Sequence, residues 1–209
     1  VLASMAEEMV DGAMSMSKEV SVPYGATESI EMTRGICNSS GVNAAVTETE
    51  LYAGICSVSG SGTGVSPDCD NTGRSRTVDL DVAKVGKTSG WVAEKSIRLV
   101  DARTEDCDVV FSPTSLGDSD VGLMNVVLSK ALSGKNTRQG ISFLADKVGQ
   151  HLWSDAVTLS DNPVLSSRCG SRPMDDEGVR TRKTRLVRKG IVEGFLWDSY
   201  NGAISGEGS

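Results

Sequence analysis

The chain has 209 residues, 38% of them hydrophobic and only 4% aromatic, with 28 acidic against 21 basic side chains and a net charge of −7. That length supports one large or two small domains with a core of Val, Leu, Ile, Ala and seven Met. The acidic balance argues against a dedicated nucleic-acid binder, and no run approaches the roughly 20 apolar residues of a membrane helix.

Residues 2–19 carry Leu2, Met5, Ala6, Met9, Val10, Ala13 and Met16 at helical spacing. Pro23 follows a few residues beyond the expected helix end. Ile30, Met32, Arg34 and Ile36 alternate as in a strand, and Asn38-Ser39-Ser40-Gly41 reads as a turn. A second strand is expected over 44–59, antiparallel to the first. The Ser/Gly run 59–64 and residues 66–75 read as one long loop. Thr77 or Asp79 can cap a helix reaching about Val100, with Val82, Val85, Gly86, Ser89, Ala93, Ile97 and Val100 inward. Residues 107–111 are a short apolar run, expected to be a strand ended by Pro113. A third helix is expected over 119–133, with Val121, Met124, Leu128, Ala131 and Leu132 inward and Gly134 as its stop. Residues 179–187 and 191–197 are β-rich, and Gly190 between them suits a positive φ in a hairpin turn. A domain boundary is expected near 103–106, dividing the chain into 1–105 and 106–209.

Several motifs suggest chemistry and fail on their surroundings. Gly86-Lys87-Thr88 ends like a phosphate-binding loop, but Asp81 stands where that motif needs its first glycine. Asn38-Ser39-Ser40 has the pattern of a glycosylation acceptor but reads as a turn. His151 is the single histidine, and a two-histidine helical zinc site cannot be made from it. It is expected to be structural, near Trp153. Five cysteines occur without a CxxC pair, which suggests reduced thiols and not structural zinc. The opening residues lack a secretory pattern, so a cytoplasmic location is expected. Arg180, Arg182, Lys183, Arg185, Arg188 and Lys189 concentrate positive charge after Asp175-Asp176-Glu177. They form either a solvated strand face or a contact for an acidic partner or peptide carboxylate, with Arg180, Arg182 and Arg185 as the candidates.

The stretch from Pro173 to Thr181, then residues 186–200 (LVRKGIVEGFLWDSY), resembles the C-terminal half of the TldD/PmbA family. Residues 35–41 (GICNSSG), Ala131-Leu132-Ser133-Gly134, the run 140–144 (GISFL) and Lys147-Val148-Gly149 resemble it in the same order. The resemblance implies an α+β chain: part of an N-terminal α/β domain followed by the start of a β-rich C-terminal domain, cut at both ends. In that family a TldD-type subunit carries a HExxxH zinc motif, and the PmbA/TldE-type subunit lacks it. Alignment around Leu132 and Gly134 puts the motif on 125–130. Asn125 replaces the first histidine, Val126 the catalytic glutamate and Lys130 the second histidine. The resemblance thus implies a PmbA/TldE-like subunit with no metal or other cofactor and no catalytic residues of its own. Its expected partners are a TldD-type zinc subunit, a peptide substrate and a second copy of itself. The alternative is a protein-binding regulator of the gyrase-modulator type.

Overall fold

The computed structural model describes residues 1–62, 64–98, 100–101, 103–117 and 122–208. They form two compact units with mixed α and β structure and antiparallel pairing. One unit comprises Val1–Gly35, Ala45–Thr104 and Ser166–Gly170; the other comprises Ile36–Ala44, Glu105–Leu165 and Ser171–Ser209. Among the described residues no helix is long and apolar enough to cross a membrane.

In the first unit, α1 (Leu2–Met14) buries Met9, Gly12 and Ala13, the face its Met stripe foretold. The chain then turns directly into β1 (Val20–Cys37), ten residues earlier than the alternation suggested. Val20 and Val22 supply the missing apolar positions, and Pro23 is tolerated because β1 ends the strand order, where an N–H need not be donated. A turn at Asn38, assigned to the second unit, leads to β2 (Asn43–Ser61). There Asn38 Oδ1 accepts from the N–H groups of Ser40 and Val42.

The described part of the Ser/Gly run is largely strand: residues 59–61 end β2 and Gly64 opens β3 (Gly64–Val65), with Gly60 opposite Val65. Residues 69–75 form β4 (Cys69–Ser75), paired antiparallel with β2 from Leu51↔Ser75 to Ser57↔Cys69. Small polar residues conceal this strand in the sequence. One of them has a partner across the layer: Asn71 Nδ2 donates to the Val85 carbonyl at 2.9 Å. Nearby, Ser89 Oγ lies 2.6 Å from the Cys69 carbonyl and 2.7 Å from Ser57 Oγ, so these buried hydroxyls are hydrogen-bonded.

Helix α2 (Val82–Lys95) starts at Asp81, not Asp79 or Thr77; the Asp81 carboxylate accepts from Lys84 N–H at 2.9 Å. It stops at Lys95, leaving Val100 89% exposed instead of on the inner stripe. Met9, Ala13, Ala53, Ile55, Val82 and Val85 form the core beneath α1 and α2.

In the second unit, residues 107–111 are irregular and solvent-facing, not a strand; Val110 is 93% exposed. A short helix, α3 (Pro113–Gly117), follows. The third expected helix is shorter and interrupted: a π-turn over Met124–Leu128 runs into α4 (Ser129–Ala131). Its expected start at Ser119 and the inward Val121 lie outside the described residues. Met124 is exposed rather than inward, whereas Ala131 and Leu132 are buried. Gly134 does not stop this helix but opens α5 (Gly134–Arg138), with Ser133 as its cap.

Strands β5 (Leu159–Asp161), β6 (Thr184–Arg188) and β7 (Ile191–Val192) make a small antiparallel sheet. The strands are much shorter than the β-rich stretches around them. Lys189 (φ 44°) and Gly190 (φ 75°) make the tight turn between β6 and β7, so the expected positive φ at Gly190 is found. Helix α6 (Ser199–Ser205) is capped by Asp198, whose carboxylate accepts from Asn201 N–H. Ala131, Leu132, Leu144, Leu186, Val192 and Phe195 form this unit's core, with Trp153 and Trp197 packed against it.

Candidate functional site

The interrupted helix is built by a local competition for hydrogen bonds. In an α-helix the Asn125 carbonyl would receive the N–H of Ser129. Here the Ser129 hydroxyl takes that carbonyl, and the Ser129 N–H bonds to Met124 O, five residues back. A serine hydroxyl that back-bonds to the i−4 carbonyl loosens the ladder in this way, and the result is a π-turn. The wider turn advances less per residue than an α-turn, so positions five apart come closer to one face. Asn125 lies in the π-turn, and Lys130 lies in α4 immediately after it.

Below this helix the chain folds back to form an open cleft of about 210 Å³. Val126, Val127, Lys130, Ala131, Asn136, Ile141, Ser142 and Phe143 line it. Asn136 Nδ2 donates to the Lys130 carbonyl at 2.8 Å, and the Ser142 hydroxyl donates to the Ala131 carbonyl at 2.5 Å. These two bonds satisfy carbonyls at the helix end that have no partner within the helix. The Asn136 carbonyl in turn accepts from the N–H groups of Ile141 and Ser142. Asn136 and Ser142 thus brace the cleft's own scaffold, while Ile141 (69% exposed) and Phe143 (61% exposed) stand at its mouth. The sequence singled out Val126 and Lys130 but not Asn136, Ile141, Ser142 or Phe143. Two large apolar residues alternating beyond a glycine, with no strand to absorb them, were the available signal.

The basic candidates are elsewhere. Arg180 is exposed and bridges to Met174, whereas Arg185 lies on β6. Arg185 and Arg188 both approach Glu193, Arg185 at 3.8 Å. Arg182 is exposed, close to Gly208. None of Arg180, Arg182 and Arg185 lines the cleft. The acidic run upstream does other work: Asp175 accepts from two backbone N–H groups, Asp176 pairs with Arg172, and Glu177 accepts from Ser199 N–H.

His151 Nε2 lies 2.7 Å from Asp155 Oδ1, and His151 bridges to Ile191 beside the Gly190 turn. All five cysteines are free, Cys56 and Cys69 being buried. Burial pushes both buried thiols above their usual range, which disfavours the nucleophilic thiolate. Tyr24 donates to Asp70 Oδ1 at 2.8 Å, and this bond, together with one to Cys56, holds its phenol in the protonated form. Among the described residues no group of three His, Cys, Asp or Glu is placed to hold a metal ion.

Residues 104–209 match the family model for the PmbA/TldA metallopeptidase C-terminal domain, half of the chain. The chain belongs to the PmbA/TldD family. Relatives named for both of the family's members are similar to it. A metalloprotease PmbA homolog of Haemophilus influenzae is 32% identical over 126 residues, 57% of this chain and 27% of that protein. A metalloprotease TldD homolog of the same organism is 30% identical over 95 residues, 45% of this chain and 20% of that protein. The crystal structure of TldE from Thermococcus kodakarensis superposes with a TM-score of 0.86 and 27% identity, over 100% of this chain and 46% of that one. This PmbA/TldD-family chain therefore spans less than half the length of these relatives. The α+β class expected from the sequence agrees with the TldE fold.

Proposed function

We propose that this chain is part of a PmbA/TldE-like subunit that pairs with a TldD-type zinc subunit in processing peptides. The observation that carries the reading is the chemistry of the interrupted helix. If the family's zinc motif falls on residues 125–130, this chain offers an amide at Asn125, an alkyl group at Val126 and an ammonium at Lys130. Zinc is bound by thiolates, imidazoles and carboxylates, and an ammonium repels it. Valine cannot act as a general base. The donor set does not fit a catalytic metal, so hydrolysis would be supplied by the partner. Finding relatives named for TldD and for PmbA in one family supports such a pairing.

The test is co-purification of the full protein with a TldD-type subunit, with zinc content and peptidase activity measured on each part and on the pair. Activity and tight zinc confined to the pair or the partner support the reading. Stoichiometric zinc retained by this chain alone, or peptidase activity without a partner, would overturn it.

A further inference from the structure

We infer that the cleft beneath the interrupted helix binds the C-terminal end of a peptide, seating an apolar last side chain between Val127, Ile141 and Phe143 and its α-carboxylate on the Lys130 ammonium. This goes beyond the pairing proposed above and holds whether or not a zinc subunit is present.

The assignment follows from what the cleft has left to offer. The Ser142 hydroxyl proton and one of the two Asn136 Nδ2 protons are committed to the helix-end carbonyls. Lys130 makes no ion pair among the described residues, although it lines the cleft. The remaining lining is apolar and exposed to an unusual degree for Ile and Phe. One unpaired cation above an apolar surface selects a ligand with one anionic and one apolar end. A volume of about 210 Å³ is below that of a drug-sized site and suits one or two side chains, not a long acyl chain. The Phe143 N–H and the Ile141 carbonyl take no backbone partner among the described residues, so a peptide main chain has both a donor and an acceptor to meet. An ionised fatty acid can accept from the N–H but has no donor for the carbonyl, whereas a peptide main chain uses both. The protein's net charge of −7 opposes anion capture at long range, so attraction must come from the local ammonium.

The experiment titrates the purified chain, without any zinc subunit, against a dye-labelled hexapeptide ending in Leu-Phe, as the free acid and as the C-terminal amide, with dodecanoate as a third ligand. The free acid should bind about tenfold more tightly than the amide. Lys130→Gln should erase that difference while Lys130→Arg retains it. Ile141→Asp, at a site exposed enough to leave the fold intact, should weaken both peptides. Circular dichroism of each variant separates lost binding from lost folding. Equal binding of acid and amide, a preference that survives Lys130→Gln, or no saturable binding of either peptide would overturn the proposal. So would Lys130-dependent binding of dodecanoate with none of the peptide.

Discussion

Gly86 of α2 approaches α1 so closely that a Cβ at this position would stand 1.9 Å from the Met9 carbonyl oxygen. The same crossing brings Gly90 against the Ala13 carbonyl and Gly12 against Ala83. Small residues on both helices let the backbones nearly touch, and that contact closes the first core. The glycine of the Gly86-Lys87-Thr88 run is therefore a packing residue.

Gly86→Ala should cost about 1–3 kcal/mol, because the methyl group meets rigid backbone and α2 must shift. Lys87→Ala, on the exposed side of the helix, should change stability by less than about 0.5 kcal/mol. Urea unfolding of both variants checks the contrast. Nucleotide added at millimolar concentration should leave the melting temperature of the parent chain unchanged.

What the sequence revealed depended on how strongly each segment repeats. The Met5–Met9–Ala13 stripe and the Val82–Val85–Ser89–Ala93 stripe located both long helices, because burial on one face leaves a period in the residues. The Asn38 turn and the positive φ of Gly190 were legible because few residues satisfy those geometries. Strand β4 was not, since Asp70, Asn71, Thr72 and Gly73 carry no apolar alternation; a ladder and buried hydroxyl bonds hold it. Gly134 was misread as a helix stop because its true constraint is distant in sequence: a Cβ there would lie 2.3 Å from the Trp197 ring. The cleft was half legible. Val126 and Lys130 stood out through family resemblance, but the return of Ile141 and Phe143 beneath them is a tertiary fact. The interruption by Ser129 was invisible, since a serine in a helix usually faces solvent harmlessly.

Ser129→Ala should repair the helix. Without the hydroxyl bond from Ser129, the residue-129 N–H can turn to the Asn125 carbonyl, and the π-turn should relax toward an α-turn. Backbone chemical shifts of residues 124–130 would report the change. The stability effect should be small, within about 0.5 kcal/mol, because the site is exposed. An unchanged π-turn would show that tertiary packing, not the hydroxyl, imposes it.

Cys56 and Cys69 lie on neighbouring strands, yet the register pairs Cys56 with Asp70 and Ser57 with Cys69. Alternation then points the two thiols to opposite faces of the sheet, and no disulfide can join them without a register slip. An alkylating reagent at neutral pH should label Cys37 and Cys107 first, both being exposed. Cys169 should lag despite its exposure as a residue, because partial burial of its thiol and the Glu50 carboxylate raise its pKa. Cys56 and Cys69 should react only on unfolding. Mass spectrometry after timed labelling checks the order, and early labelling of Cys56 would contradict the packing of this sheet.

Asp161, on β5, gives the second unit a pH dependence whose sign can be worked out. Burial raises its carboxyl pKa, and the Arg172 guanidinium only partly opposes that. The folded chain therefore holds this proton to a higher pH than the unfolded chain, whose carboxyl titrates near the ordinary aspartate value of about 3.9. Folding takes up protons between those two points. The contribution is fully present below the unfolded pKa and is lost as pH rises through the raised folded pKa, leaving a charged, partly desolvated group at neutrality. Asp161→Asn keeps the shape and removes the titration. Its stability relative to the parent should rise as pH increases from about 4 to 7. Urea unfolding midpoints of both chains at each pH unit measure the difference. A variant that loses ground to the parent as pH rises would mean that the attraction of Arg172 outweighs burial, and that the pair stabilises β5 in its charged form.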